Sequence, residues 1–238
     1  MKTIFHSAKE RGFNSFGWLK SYHSFSFGKF NDPEKMNFGL LRVLNDDHVE
    51  QSMGFGTHGH ANMEIVSIPL TGALRHKDST GRDEIIKSGD VQIMSVGSGI
   101  QHSEYNESKE APVDFLQIWV FPKLEDIEPR YEQKTFSEAQ KQDQFLTVVS
   151  PDPSDDAITI NQDAWFSLAN LSEGKTLDYE LHGKENGVYV FVLEGNIEVA
   201  EQVLDKRDAL GVYETEGSFN LDAKSDSKIL LIEVPMKG

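Results

Sequence analysis

The sequence predicts an all-β protein, two β-barrels in one chain with little helix. Three observations carry this. From residue 38 onward, short runs rich in Val, Ile, Leu and Phe are broken by Gly, Asp, Asn or Ser roughly every 8–12 residues, the spacing of a β-sandwich or barrel. At 238 residues the chain has room for one large domain or two compact ones, since domains run to ~100–200 residues. The two halves also resemble each other: SIPLTGALRHKD followed by KSGDVQIM matches VFVLEGNIEVAE followed by DKRDALGVY. Each reads strand, glycine turn, strand and a second turn bearing Asp, as a duplicated unit would.

In chain order the clearest strands are EIVSIPL (64–70), GALRHKD (72–78), VQIMSV (91–96), DFLQIWVF (114–121), VYVFVLEG (188–195) and KILLIEV (228–234). Between 122 and 163 the chain turns Pro-rich and acidic, with KLEDIEPRYEQK and SPDPSDD, which marks an inter-domain connection. One short helix is expected near 136–142. The expected division is residues 1–130 and 131–238, with the boundary inside 122–163.

Composition narrows the function. Lys and Arg number 23 against 39 Asp and Glu, a net charge of −16, which disfavours direct nucleic-acid binding because that draws on cationic contacts to phosphate. Residues 1–30 are locally basic, with Lys2, Lys9, Arg11, Lys20 and Lys29 against Glu10; a solvated segment is the expected reading. Without cysteine, any metal must sit on His, carboxylate or water. No secretory signal opens the chain and no run approaches the ~20 apolar residues of a membrane span, so a soluble cytoplasmic protein is expected.

The chemistry lies in two short motifs. In FGTHGHANME, His58 and His60 are two residues apart, and on a strand such residues share a face. In GIQHSEYN, His102 and Glu104 repeat the spacing. A single HxH pair usually binds nothing, but two such pairs 42 residues apart (102 − 60), on neighbouring strands ~4.8 Å apart, can converge on one ion. Three imidazoles and a carboxylate leave positions open on a six-coordinate metal and are close to the two-His, one-carboxylate set of non-haem iron. Fe(II) is therefore the first expectation, although Mn, Co, Ni, Cu or Zn would accept the same ligands. Glu64, four residues after His60, is an outside candidate. His76 is expected to bond locally to Asp78 or a backbone group. His6, His23, His48 and His182 have no partner at ligand spacing.

At these residues the chain resembles the pirin family, metal-binding bicupins that include bacterial enzymes with quercetin 2,3-dioxygenase activity. The resemblance runs through HSFSFG (23–28), LRVLNDDHV (41–49), GFGTHGHANMEI (54–65), RHKDSTG (75–81), GDVQIMSVGSGIQHSEYNE (89–107) and FLQIWVFP (115–122). The 89–107 block is the most specific, because its double-Gly segment before HSE is two residues longer than the ordinary second cupin motif. Beyond residue 150 the match thins to SPD (150–152) and INQDA (160–164).

The resemblance implies a bicupin of two jelly-roll-like barrels, the first holding the metal on His58, His60, His102 and Glu104. The second is expected to be metal-free: counted back from Gly195 as His58 and His60 count back from Gly72, the matching positions are Leu181 and Gly183. The implied activity is opening of a flavonol heterocycle with O2, with Glu104 as both ligand and proton acceptor and with an apolar mouth around Phe55 and Met53. The alternative is a redox-sensitive regulator acting through a protein partner.

Overall fold

The computed structural model describes residues 1–237. Each half folds as a seven-stranded sheet facing a four-stranded one. The first main sheet runs Arg130–Thr135, Asp90–Ser95, Glu64–Thr71, Val113–Val120, Leu41–Val49, Leu19–His23, Gly12–Ser15, and its facing sheet Gly54–His60, Ile100–Asn106, Ala73–Asp78, Asp83–Lys87. The second main sheet runs Lys2–His6, Ala209–Tyr213, Asn186–Glu194, Ser227–Pro235, Trp165–Leu171, Leu146–Ser150, Ile158–Thr159, with Thr176–Glu180, Ser218–Ala223, Asn196–Val199, Gln202–Asp205 facing it. All six strands expected from sequence are present within two residues of their expected ends.

The repeat is structural. Gly72 and Gly195 both turn the corner from a main strand to the facing sheet, at φ of +68° and +80°. Only glycine adopts that conformation cheaply. A Cβ at Gly195 would lie 2.3 Å from the Asp226 carbonyl oxygen, and one at Gly72 3.2 Å from that of Pro112. These two glycines therefore give the two barrels a common reference point at the same corner.

Two strands reach across the division expected at residue 130. Lys2–His6 pairs antiparallel with Ala209–Tyr213, placing the N-terminus on the edge of the second main sheet, and Arg130–Thr135 pairs with Asp90–Ser95 in the first. The helix expected near 136–142 is a four-residue 3-10 turn, Glu138–Lys141, capped by Ser137 and Gln140. Among the described residues there is no α-helix, and none long and apolar enough to cross a membrane. In the basic N-terminal segment, Lys2 pairs with Glu214 and Arg11 with Asp46.

The two main sheets pack face to face. Leu44, Val66, Leu116 and Ile118 of the first meet Phe166, Tyr189, Leu230 and Ile232 of the second in the largest core. Strand alternation turns the intervening residues into the barrel interiors, where the halves part company. The second interior is apolar, with Val190, Leu210, Leu221 and Leu231 among its residues. The first carries a polar row straight across the main sheet: Gln133 pairs with Gln92, Gln92 with Ser67, Ser67 with Gln117, Gln117 with Asn45 and Asn45 with His23.

Candidate metal centre

The four residues singled out by spacing lie on two adjacent antiparallel strands. Gly54–His60 and Ile100–Asn106 pair with Ile100 opposite His60 and His102 opposite His58; the register then slips, so Glu104 stands opposite Phe55. On its other side Glu104 faces His76, and His102 faces Asp78. Three pairs at two-residue spacing, His58/His60, His102/Glu104 and His76/Asp78, thus share one inward face.

The ring centroids of His58, His60 and His102 lie 4.8, 4.5 and 5.1 Å apart, and ligand atoms of the three approach within 4.8 Å of one another. A second group within the same limit, His76, His102 and Glu104, shares His102. Among the described residues these are the two groups of this kind. Glu104 therefore joins the imidazole cluster through His102.

Electrostatics prepare these groups for a cation. His58 Nδ1 lies 2.8 Å from the Gly56 carbonyl oxygen; an Nδ1–H donating there leaves Nε2 with its lone pair free, the usual arrangement of a ligating histidine. Burial pushes His60 down to about 4 and His102 to about 3, so both rings are neutral at pH 7 and can donate a lone pair. His102 is 2% exposed, yet neither ring nitrogen has a hydrogen-bond partner. An unsatisfied buried polar group costs about 1–3 kcal/mol, which a metal at that nitrogen would relieve. The donor set fits a divalent transition metal.

Glu104 is buried, and burial pushes its carboxyl up from the usual value against the downward pull of His76, His58, Ser67 and Gln117. Its oxygens accept from Gln117 Nε2 at 2.8 Å and Ser67 Oγ at 3.3 Å, two members of the polar row. Glu64 has a different role: its Oε2 accepts from Ser95 Oγ at 2.7 Å and from the Asn161 N–H at 3.1 Å, tying the first barrel to the 122–163 connection. His76 bonds Asp78 as expected, Nε2 to Oδ2 at 3.0 Å, but also borders the cluster. Its two-residue spacing from Asp78 was the available signal.

The cluster opens into a cavity of about 250 Å³ whose apolar side is Phe16, Phe27, Phe55, Ile65 and Trp119. Trp119 lies 4.9 Å from His60, and Phe27 stands edge-on to Trp119 at 5.4 Å. Phe55 lines the mouth as expected; Met53 is not among the lining residues, and Phe16 and Phe27 from the N-terminal region take that place.

In the second barrel the ungapped count is off by two. Leu181 N–H bonds the Gly217 carbonyl, and Tyr179 pairs with Phe219, so the strand register sets Tyr179 and Leu181 opposite the places of His58 and His60. The loop that follows is two residues longer than its counterpart, which an ungapped alignment cannot register. His182 stacks on Trp165 at 4.5 Å and 7° and its Nδ1 lies 2.8 Å from Glu233 Oε2.

Two family models match, Pirin over residues 5–120 and Quercetinase C-terminal cupin domain over 147–234. A quercetin 2,3-dioxygenase of Escherichia coli is 39% identical over 228 residues, 96% of each chain. The chain belongs to the pirin family. A pirin-like protein of Caulobacter vibrioides is 38% identical over 218 residues, 91% of this chain and 93% of that one. The crystal structure of the bacterial pirin YhhW of E. coli in complex with nickel(II) superposes with a TM-score of 0.93 at 37% identity, covering 98% of this chain and 99% of that one. The two barrels are accordingly cupin-type, and the whole is a bicupin.

Proposed function

We propose that this pirin is a metal-dependent flavonol 2,3-dioxygenase in which His58, His60, His102 and Glu104 hold one divalent transition metal, Fe(II) in the first instance. One observation carries the reading: a cavity that joins neutral imidazoles and a buried carboxyl to an aromatic wall. The relatives named quercetin 2,3-dioxygenase support it. When bound, the ion supplies Lewis-acid chemistry toward a substrate oxygen and O2.

The chain's own residues do the rest. Phe27, Phe55 and Trp119 exclude water and hold a flat ring system. Glu104, whose proton affinity burial raises, accepts the proton of the flavonol 3-hydroxyl as a general base. Gln117 and Ser67 hold its two oxygens in place. Both atoms of O2 enter the opened product and one ring carbon leaves as carbon monoxide. The test is to load the protein with Fe(II), add quercetin in air and follow the flavonol absorption band. Loss of the band with matching carbon monoxide release is expected. An inert band in metal-replete protein overturns the reading and returns attention to a role through a protein partner.

A further inference from the structure

The wall of the cavity formed by the Leu19–His23 and Leu41–Val49 strands is unlike the rest. Ser21 pairs with Asp47 and His23 with Asn45 across these strands, a two-by-two block of polar side chains lining the cavity. All four are 2–5% exposed. Ser21 Oγ and His23 Nε2 satisfy each other at 2.7 Å, yet His23 Nδ1, Asn45 Oδ1 and Asp47 Oδ1 have no partner.

One orphaned polar atom costs about 1–3 kcal/mol, so three on one wall are an expensive arrangement for a group with structural duties alone. The second barrel shows the alternative, since the strand register sets Ser167, Ala169 and Thr147 at the places of Asn45, Asp47 and His23, small side chains with no carboxylate or imidazole among them. The orphans are two oxygen acceptors and one imidazole nitrogen. A second anion is a poor match for them, because Asp47 and Glu104 both border the cavity. Neutral hydroxyls match, since each can donate to an acceptor and accept from an imidazole N–H. Burial also pushes Asp47 up to about 7, which keeps a formal charge off this wall for part of the population.

We propose that Ser21, His23, Asn45 and Asp47 form a hydroxyl-reading subsite of the metal cavity, taking the phenolic hydroxyls on the substrate ring remote from the metal. This rests on the flavonol reading above. It assigns the aromatic wall to shape and the polar wall to choice among flavonols. A site built to hydrogen-bond a hydroxyl rejects the analogue that lacks it, because the buried groups are then left unpaired.

The test is binding, not turnover. Protein loaded with Ni(II) or Zn(II) under nitrogen is titrated with quercetin and with galangin, which keeps the metal-facing 3-hydroxyl but has no hydroxyls on the remote ring. Quenching of tryptophan fluorescence reports binding. Wild type is expected to prefer quercetin by about 10-fold or more, the worth of one buried hydrogen bond. Asn45→Ala and Asp47→Ala are expected to cut that preference to within about 3-fold while galangin affinity and metal content hold. If Asp47→Ala does not fold, the near-isosteric Asp47→Leu, which has no polar side-chain atom, is used, with the same expected loss of preference. Equal affinity for both flavonols in wild type, or an unchanged preference in the variants, overturns the subsite and leaves ordered water as the partner of these atoms. If neither flavonol binds the metal-loaded wild type, the flavonol reading falls and the subsite with it.

Discussion

Glu104 and Glu233 are both buried, one in each barrel, and their surroundings are opposite. Glu104 accepts from two side chains, Gln117 and Ser67, and burial leaves its carboxyl pushed up. Glu233 is held by five donor groups: the Tyr179 hydroxyl, the His182 ring, the Asn186 amide and the backbone N–H groups of His182 and Gly183. Burial alone would push Glu233 up as well, but those hydrogen bonds outweigh it and hold it below the usual value. The first arrangement leaves a carboxylate with capacity for a metal or a proton. The second uses that capacity up on the fold.

The contrast extends through both interiors. With Ser67 and Val190 at the same distance before Gly72 and Gly195, strand pairing matches the row Gln92, Ser67, Gln117 to Leu210, Val190, Leu231 in the same order. Likewise the pair His76 and Glu104 corresponds to Val199 and Leu221. One duplicated frame thus carries a polar, under-satisfied interior in one copy and a packed apolar one in the other.

The sharpest test of that asymmetry pairs one histidine from each barrel. His102→Ala should weaken metal binding by well over ~100-fold, more than the 10–100-fold typical of an outer-shell change, while His182→Ala should leave metal content at one equivalent. Elemental analysis after reconstitution with Fe(II) decides this. Metal loss in His182→Ala would mean that the second barrel contributes to the site.

The glutamates should separate activity from stability. Glu104→Gln should lose ~10²–10⁴ in turnover, as removal of a general base does, with excess Fe(II) failing to restore it and with thermal stability unchanged or raised. Glu233→Gln sets an amide donor among donors and should cost about 3–5 kcal/mol, as breaking a buried charge network does, a large share of a total of ~5–15 kcal/mol. Turnover of the folded fraction should hold. If excess metal rescues Glu104→Gln, another group takes the proton.

What the sequence disclosed follows the range of the interactions. The ligand pairs were legible because same-face spacing is a local property of a strand, and so were the main strands. The pairing of Lys2–His6 with Ala209–Tyr213 was not, because KTIFH carries no mark of a partner some two hundred residues away. The two-residue offset in the second barrel hid for the same reason, since it depends on loop length. The polar row left a trace: EIVSIPL, DVQIMS and DFLQIWV each carry a single polar residue in mid-run, Ser67, Gln92 and Gln117. In three otherwise apolar strands those residues mark one level of one barrel.

Gln117→Leu installs in the first barrel the residue that stands at the matching position of the second, Leu231. It removes the 2.8 Å hydrogen bond to Glu104 Oε2. Metal affinity should fall about 10–100-fold, the usual cost of losing a group that orients a ligand, with a stability loss of no more than about 1–3 kcal/mol from the unpaired Glu104 oxygen. Titration with Ni(II) alongside a thermal melt reads both. A fall in stability without any change in affinity would show that the row serves the fold.

The smallest effect is in pH. Because the folded-state value of Glu233 is depressed, its carboxylate contributes stability that is fully present above the ordinary carboxylate value of about 4.5 and is lost as pH falls through the folded value. Wild type should therefore exceed Glu233→Gln in melting temperature by a constant margin from neutral pH down to about 4.5, and the margin should close below it as the wild-type carboxyl gains its proton. His6, which burial pushes down to about 4 and whose Nδ1 lies 2.9 Å from the Tyr189 hydroxyl, titrates in the unfolded chain near 6.5. It makes stability fall between pH 6.5 and about 4 in both proteins, so it cancels in their difference. A margin that closes already in that upper window would mean that a group other than the Glu233 carboxylate sets it. A margin that persists well below the range where a depressed carboxylate titrates would mean that the five donors act on Glu233 as a hydrogen-bonding frame with no dependence on its charge.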